Sequence, residues 1–215
     1  MNLEKIKNKL NKIKRTHFGI CIPDLRKFAQ KIAKNGYKEF IKNNDFSSFE
    51  LKLFHAFLIG YIKDDICILL KYFHDFIPQV DDWCINDSLC QNFKVARKYP
   101  KEVWEFITSL KNTSKEFESR IVSVLLLSHY LNDEYIDKVI QILDELNTDD
   151  YYSQMGVAWA IATIMGKYSD KCLNYLQSSE CHLDKTTYNK SLQKIRESFK
   201  VSKEIKLLTT SLKKV

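Results

Sequence analysis

The chain has 215 residues and is 45% apolar, enough to bury a core and too apolar for a disordered segment. Five glycines and three prolines exclude a turn-rich β architecture, and no apolar run reaches the roughly 20 residues that span a bilayer. The net charge of +7 is unevenly placed: residues 1–52 carry 13 Lys/Arg against 5 Asp/Glu, residues 53–184 carry 12 against 20, and residues 185–215 carry 9 against 2. Basic ends suit a polyanion such as DNA or a merely solvated lysine-rich surface, and the acidic middle argues against a uniformly basic groove.

Met1 to Arg15 is lysine-rich and amphipathic and lacks the apolar stretch of a signal peptide. It is read as part of a basic N-terminal helix over residues 1–16 of a soluble, cytoplasmic protein. Pro23 opens the next helix in IPDLRKFAQKIAKNG, where its fixed φ fits a first turn, and Gly36 supplies the stop. Strong helical segments then begin near Phe46 (DFSSFELKLFHAFLIGYI), Asp82 (DWCINDSLCQNFKVARKY), Lys115 (KEFESRIVSVLLLSHYL), Asp150 (DYYSQMGVAWAIATIM) and Lys185 (KTTYNKSLQKIRESF). Each opens on polar or acidic residues able to satisfy the free N–H groups of a first turn, and apolar residues then recur at i, i+3, i+4 and i+7. Shorter helices lie between them, in DDICILLKYFHDF, KEVWEFITSL, NDEYIDKVIQILDEL and SDKCLNYLQ, and a basic helix closes the chain over 200–215.

The unit is therefore a helix pair recurring about every 35 residues. The tryptophan, glycine, alanine and proline positions of tetratricopeptide repeats do not recur, so degenerate HEAT-like pairs fit better. The expected fold is all-α: one domain over 1–215, a right-handed α-solenoid of about six HEAT-like antiparallel pairs without a sheet, presenting a concave face.

Few residues offer chemistry. The six cysteines have no CxxC spacing and sit mostly in apolar helical patterns, as Cys67 does, so they read as reduced core thiols. Trp83 and Asp87 lie four residues apart, one turn up the same helical face. An indole beside a carboxylate suits a cationic ligand; the plainer alternative is a half-buried Trp and a solvated Asp at an acidic helix start. Trp159 lies among apolar and small residues, as a core residue would, yet two repeats after Trp83 it can also reach the concave surface. Trp104 reads as core. Arg120 opens an apolar helix and either grips a phosphate with its fork of donors or pairs with Glu116 or Glu118. His55, His74 and His129 lie in apolar helices and read as core or interface. Glycine-rich phosphate loops, HExxH and GxSxG are missing, and no metal or cofactor is expected.

Several segments, taken in order, resemble the HEAT-like-repeat DNA alkylation repair proteins, the AlkD-type alkylpurine glycosylases. HFGICIPDLRKFAQKIAKN is similar to the family's early Gly-Ile/Val then Pro-x-x-Arg motif. DDWCINDSLC is similar to its central Trp with Asp four residues on, and ESRIVSVLLL to its segment with a DNA-contacting Arg. YYSQMGVAWAIATIM resembles its aromatic then Ala-x-x-Trp-Ala helix, and SLQKIRESF its closing basic helix. The resemblance runs from His17 to Phe199. It implies hydrolysis of the N-glycosidic bond of cationic alkylated purines in double-stranded DNA, damaged or branched, by a monomer that needs no cofactor. It makes Trp83 and Trp159 the aromatic pair flanking the deoxyribose, Asp87 the catalytic carboxylate beside C1′, and Arg120, Lys194 and Arg196 the DNA contacts. Three departures bear on activity. Only about 16 residues precede HFGI, Ala162 and Thr163 stand where a basic residue follows the second Trp, and Asp82 precedes Trp83 where an aromatic is common. The alternatives are a non-catalytic DNA-binding paralogue of the same fold and a helical-repeat scaffold for protein interaction.

Overall fold

The computed structural model describes residues 3–15 and 19–212, and they are overwhelmingly α-helical. The exception is a two-residue antiparallel ladder that pairs Lys14 with Ile20 and Arg15 with Gly19. It joins the first two helices, where the reading by periodicity has no element, because two-residue strands are too short to show alternation. The chain divides into two compact units, 1–103 and 104–215.

The first unit contains α1 (Leu3–Ile13), α2 (Ile22–Lys34), α3 (Tyr37–Asn43), α4 (Phe49–Tyr61), α5 (Ile66–Phe76), α6 (Trp83–Asn92) and the start of α7 (Pro100–Leu110). Helices α2, α4 and α6 pack side by side in that order, with α3 against α2 and α5 against α4. α2 buries Leu25, Phe28, Ala29, Ile32 and Ala33, one apolar stripe at helical spacing. It ends where Gly36 takes φ 99°, a left-handed conformation that most L-residues avoid. α4 opens at Ser48, whose Oγ accepts from the Leu51 N–H at 3.2 Å. It is apolar nearly all round because it is flanked on both sides, and α6 is tied to it by Asn92 Nδ2 donating to the Phe57 carbonyl at 3.0 Å.

α5 buries Ile66, Leu69, Phe73 and Phe76 on one stripe. Cys67 and His74 fall on its opposite face and are exposed, which corrects their assignment to the core or an interface. All six cysteines are free thiols, and Cys90, Cys172 and Cys181 are buried. His55 meets its expectation: it is 3% exposed and stacks on Phe76 with centroids 4.5 Å apart and planes at 4°. Its Nδ1 lies 3.0 Å from Asn44 Nδ2. An amide nitrogen only donates, so Nδ1 accepts and the ring is neutral.

The second unit contains α8 (Glu116–His129), α9 (Ile136–Glu145), α10 (Tyr151–Lys167), α11 (Ser169–Gln177), α12 (Lys185–Glu197) and α13 (Lys203–Leu208). The helix expected over 200–215 is thus six residues long among the described ones. α10 lies between α8 and α12 and packs along both. Hydrogen bonds here repeatedly join residues about 35 positions apart. Tyr152 N donates to Glu116 Oε1 at 2.7 Å, Thr148 Oγ1 to Asp184 Oδ2 at 2.8 Å and Tyr168 OH to Asp133 Oδ1 at 3.0 Å, with sequence separations of 36, 36 and 35. From α4 onward the first-layer helices begin at Phe49, Trp83, Glu116, Tyr151 and Lys185, steps of 34, 33, 35 and 34 residues. The step from Ile22 of α2 to Phe49 of α4 is only 27, and α3 is correspondingly short.

The approach of α10 to α8 is closest at Gly156, where an added Cβ would lie 2.5 Å from Ser123 Oγ. Gly156→Ala is expected to lose about 1–2 kcal/mol, the overpacking cost of up to about 3 kcal/mol set against a helix-propensity gain of about 1 kcal/mol. Ser123→Ala should restore most of it, since Ser123 Oγ bonds only carbonyls of its own helix. Urea denaturation of the single and double variants checks this. Burial also pushes the His55 pKa down to about 3. Below the unfolded value of about 6.5 the unfolded chain takes a proton that the native state refuses. Stability is therefore present above pH 6.5 and falls toward pH 3, by up to about 1.4 kcal/mol per pH unit. His55→Phe should lack this component, so the stability difference between wild type and variant should change between pH 6.5 and 5.

Candidate nucleic-acid site

α6 starts on two consecutive carboxylates and carries a third one turn on, and the three do different things. Asp81 pairs with Lys52 Nζ at 2.6 Å. Asp82 is the N-cap, its Oδ1 accepting from Cys84 N at 2.7 Å. That is a local reason for an Asp where the family pattern favours an aromatic. Asp87, one turn into the helix, is 9% exposed. Trp83, the first helical residue, is 50% exposed. The indole therefore stands at the surface, and the buried Asp87 lies one helical turn on. The Cys84 thiol reports the local field: burial pushes its pKa up, and the charges of Asp82 and Asp87 push it further. The spot is electronegative, which suits a group that gains positive charge.

In the second unit, Arg120 is 6% exposed. Its NH1 donates to the Tyr152 carbonyl at 3.1 Å, while Glu116 takes the Tyr152 N–H. The two side chains of α8 thus hold both backbone polar groups of one residue in the first turn of α10. Tyr152 also stacks on Phe117 at 5.3 Å, and its neighbour Tyr151 is 61% exposed.

Trp159 is half-buried, not sealed in the core, and lines a cleft of about 370 Å³ with Ala162, Thr163, Lys194, Glu197, Ser198, Phe199 and Lys200. Lys194 thus lines the same cleft as Trp159. Arg196, two residues on, points elsewhere and donates from NH1 to the Thr209 carbonyl at 3.3 Å. Trp104 packs on Tyr130 and Tyr135, at 5.2 and 4.7 Å.

Residues 4–195 match the family described as DNA alkylation repair enzyme. The chain belongs to that family. No curated protein and no solved structure matches it significantly. Membership of the DNA alkylation repair enzymes supports a role in DNA alkylation repair. Among the described residues no helix is long and apolar enough to cross a membrane, and no three His, Cys, Asp or Glu side chains are grouped to hold a metal ion.

The sequence reading missed Phe199 and Lys200. Phe199 is 104% exposed, as open as a side chain can be, in the turn after α12. A phenylalanine following a helical pattern carries no mark of exposure, because only the end of α12 at Glu197 decides that it leaves the packed stripe. Ala162 and Thr163 stand one turn after Trp159, and the lysines of the cleft, Lys194 and Lys200, come from another helix and its exit turn.

Removing the α6 cap by Asp82→Ala should cost about 1 kcal/mol and loosen the turn that carries Trp83, while Asp82→Ser should retain the cap. Thermal denaturation followed by Trp fluorescence separates the two.

Proposed function

We propose that this DNA alkylation repair protein hydrolyses the N-glycosidic bond of positively charged alkylated purines. The observation that carries the reading is the half-exposed Trp83 indole one helical turn from the Asp87 carboxylate. In such a substrate the base is already cationic. It leaves with the C1′–N bonding pair as a neutral purine and needs no proton from a general acid. Positive charge then grows on the sugar, which the Asp87 carboxylate stabilises from close range and the Trp83 π face supports. Water adds to C1′, and its proton passes to solvent or to the carboxylate. The site lies on the surface of α6 and the base stays outside a pocket, in contrast to enzymes that enclose a flipped base.

Trp159 and Lys194 are assigned to DNA contact from the second unit, the indole against sugar and the ammonium at a phosphate. Arg196 is assigned to the backbone at the end of α12. Arg120 acts by fixing Tyr152 at the first turn of α10, beside exposed Tyr151. The helices α2 to α13 are read as six HEAT-like pairs, consistent with side-by-side packing of α2, α4 and α6 and of α8, α10 and α12. A second reading, DNA binding without excision, is favoured by the low exposure of Asp87.

Single-turnover release of 7-methylguanine from methylated duplex DNA tests the proposal. Asp87→Asn keeps the shape and removes the charge, and it should slow release roughly 100- to 1000-fold, about 3–4 kcal/mol. Trp83→Ala should slow it by a smaller factor. Equal rates in all three proteins would place excision elsewhere, and no release by wild type would establish the second reading.

A further inference from the structure

α1 and α2 each carry a row of lysines at i, i+4 and i+7: Lys5, Lys9 and Lys12 on the first, Lys27, Lys31 and Lys34 on the second. Like charges at this spacing oppose each other and destabilise the helices that bear them. The structure brings the two rows together. Lys9, Lys12, Lys27 and Lys31 line one cleft over Phe28, with Asp24 as its only carboxylate. A neighbouring cleft continues from Lys27 and Lys31 to Lys34 and Lys63 and has no carboxylate in its wall.

Some lysines elsewhere are ion-paired. Lys7 meets Asp45 at 2.7 Å, Lys52 meets Asp81 at 2.6 Å, Lys71 meets Asp75 at 2.6 Å, and Lys111 meets Glu145 at 2.9 Å. Among the described residues, Lys9, Lys12, Lys27, Lys31, Lys34 and Lys63 have no such partner. All six are exposed. The fold therefore gathers six unneutralised cations on one surface of the first unit. The apolar residues of α1 do not explain it, because Ile6 and Leu10 are turned inward, at 0% and 3% exposure. That leaves little to insert into a lipid surface, and Phe28, at 8%, is too covered to stack on a base. What remains is an array of ammonium groups, which recognises a row of phosphates by charge alone.

We propose that the α1–α2 lysine rows are a second DNA contact, a sequence-independent track for the phosphate backbone of the duplex, separate from the Trp83–Asp87 site. The choice of duplex DNA rests on the functional reading above. Seven residues of helix rise about 10 Å, so each row lies alongside about three phosphates of one strand. The track adds grip without touching bases or the reacting sugar, and it places the basic N-terminal region in the binding of DNA rather than in the chemistry.

The test compares two four-site variants of the full chain with equal charge change. The track variant is Lys9→Gln, Lys12→Gln, Lys27→Gln and Lys31→Gln. The control variant is Lys71→Gln, Lys111→Gln, Lys115→Gln and Lys171→Gln, at ion-paired positions. Binding to an undamaged duplex of mixed sequence is measured by fluorescence anisotropy between about 50 and 200 mM salt, a change that lowers affinity by about 10³–10⁵ for a protein making roughly 6–10 phosphate contacts. The track variant should lose about 3 from the magnitude of the slope of log affinity against log salt, roughly 0.9 per phosphate released, and the control variant less than about 1. The track variant should melt as wild type does or higher, and the control variant slightly lower, since each surface ion pair it loses contributes roughly 0–1 kcal/mol. Equal slopes for the two variants would overturn the track, as would tighter binding of wild type to single-stranded RNA than to the duplex. Release of 7-methylguanine at saturating DNA separates the proposals: it should persist in the track variant, and its absence from wild type with the slope change intact would sink the glycosylase reading alone.

Discussion

The second unit depends on how closely α10 can approach α8. At Gly156 the helix surface has no side chain, and Ser123 of α8 occupies the space a Cβ would need. One turn earlier, Glu116 and Arg120 reach from α8 to the N–H and C=O of Tyr152. A buried Arg in an interface of this kind carries a desolvation cost that only good partners offset, and the backbone carbonyl and the Tyr152 ring, 6.0 Å from its guanidinium carbon, provide them. With α8 so fixed, α10 is free to present its other flank to α12, and Trp159 emerges at the edge of that contact instead of inside it. Placing a large indole at a helix–helix edge is what makes it half-buried, and therefore able both to hold its orientation and to meet a ligand.

Much of this architecture is visible in the chain itself, for a physical reason. Helices that pack between two neighbours show a recurrent apolar pattern, and, although Lys115 before α8 and Asp150 before α10 make no side-chain cap, polar caps mark several of their starts. The residues Ser48, Asp82 and Asp184 are such caps, and each accepts from a backbone N–H of its own helix. What pattern reading did not find is α3, seven residues long and ending just before a Phe46 with φ 51°, and the ladder at 14–15 and 19–20, where the alternation is too brief to register. It also mistook apolar neighbourhood for burial in α5. ICILLKYFHDF is apolar on average, yet only the Ile66–Leu69–Phe73–Phe76 stripe faces inward. For the site, the i, i+4 spacing was enough to put Trp83 and Asp87 on one face. No spacing within a helix could have shown that Lys194 and Lys200 would arrive beside Trp159, because that proximity is made by the packing of α10 on α12.

The two charged regions of the first unit are opposite in sign and suit different parts of a nucleic acid. Around α6 the carboxylates of Asp82 and Asp87 set a negative local potential in which a developing cation is favoured and a phosphate is not. On α1 and α2 the lysines do the reverse. A chain that carried both kinds of charge on one surface would neutralise itself by internal ion pairing, as Lys52 and Asp81 do at the foot of α6. Keeping them on separate helices lets each retain its field.

The cleft at Trp159 has walls of unequal stiffness. α10 is pinned on both sides, but the opposite wall is the turn from Ser198 to Lys200 leading into α13, and α13 buries none of its own residues. Local opening free energy follows the buried contacts a segment would lose. The Phe199 wall will therefore exchange its amide protons long before α10 does, and the cleft can widen without disturbing the indole that forms its floor. A DNA strand whose sugar pucker or phosphate spacing varies from site to site can then be accommodated by a wall that yields rather than by rearrangement of the packed helices.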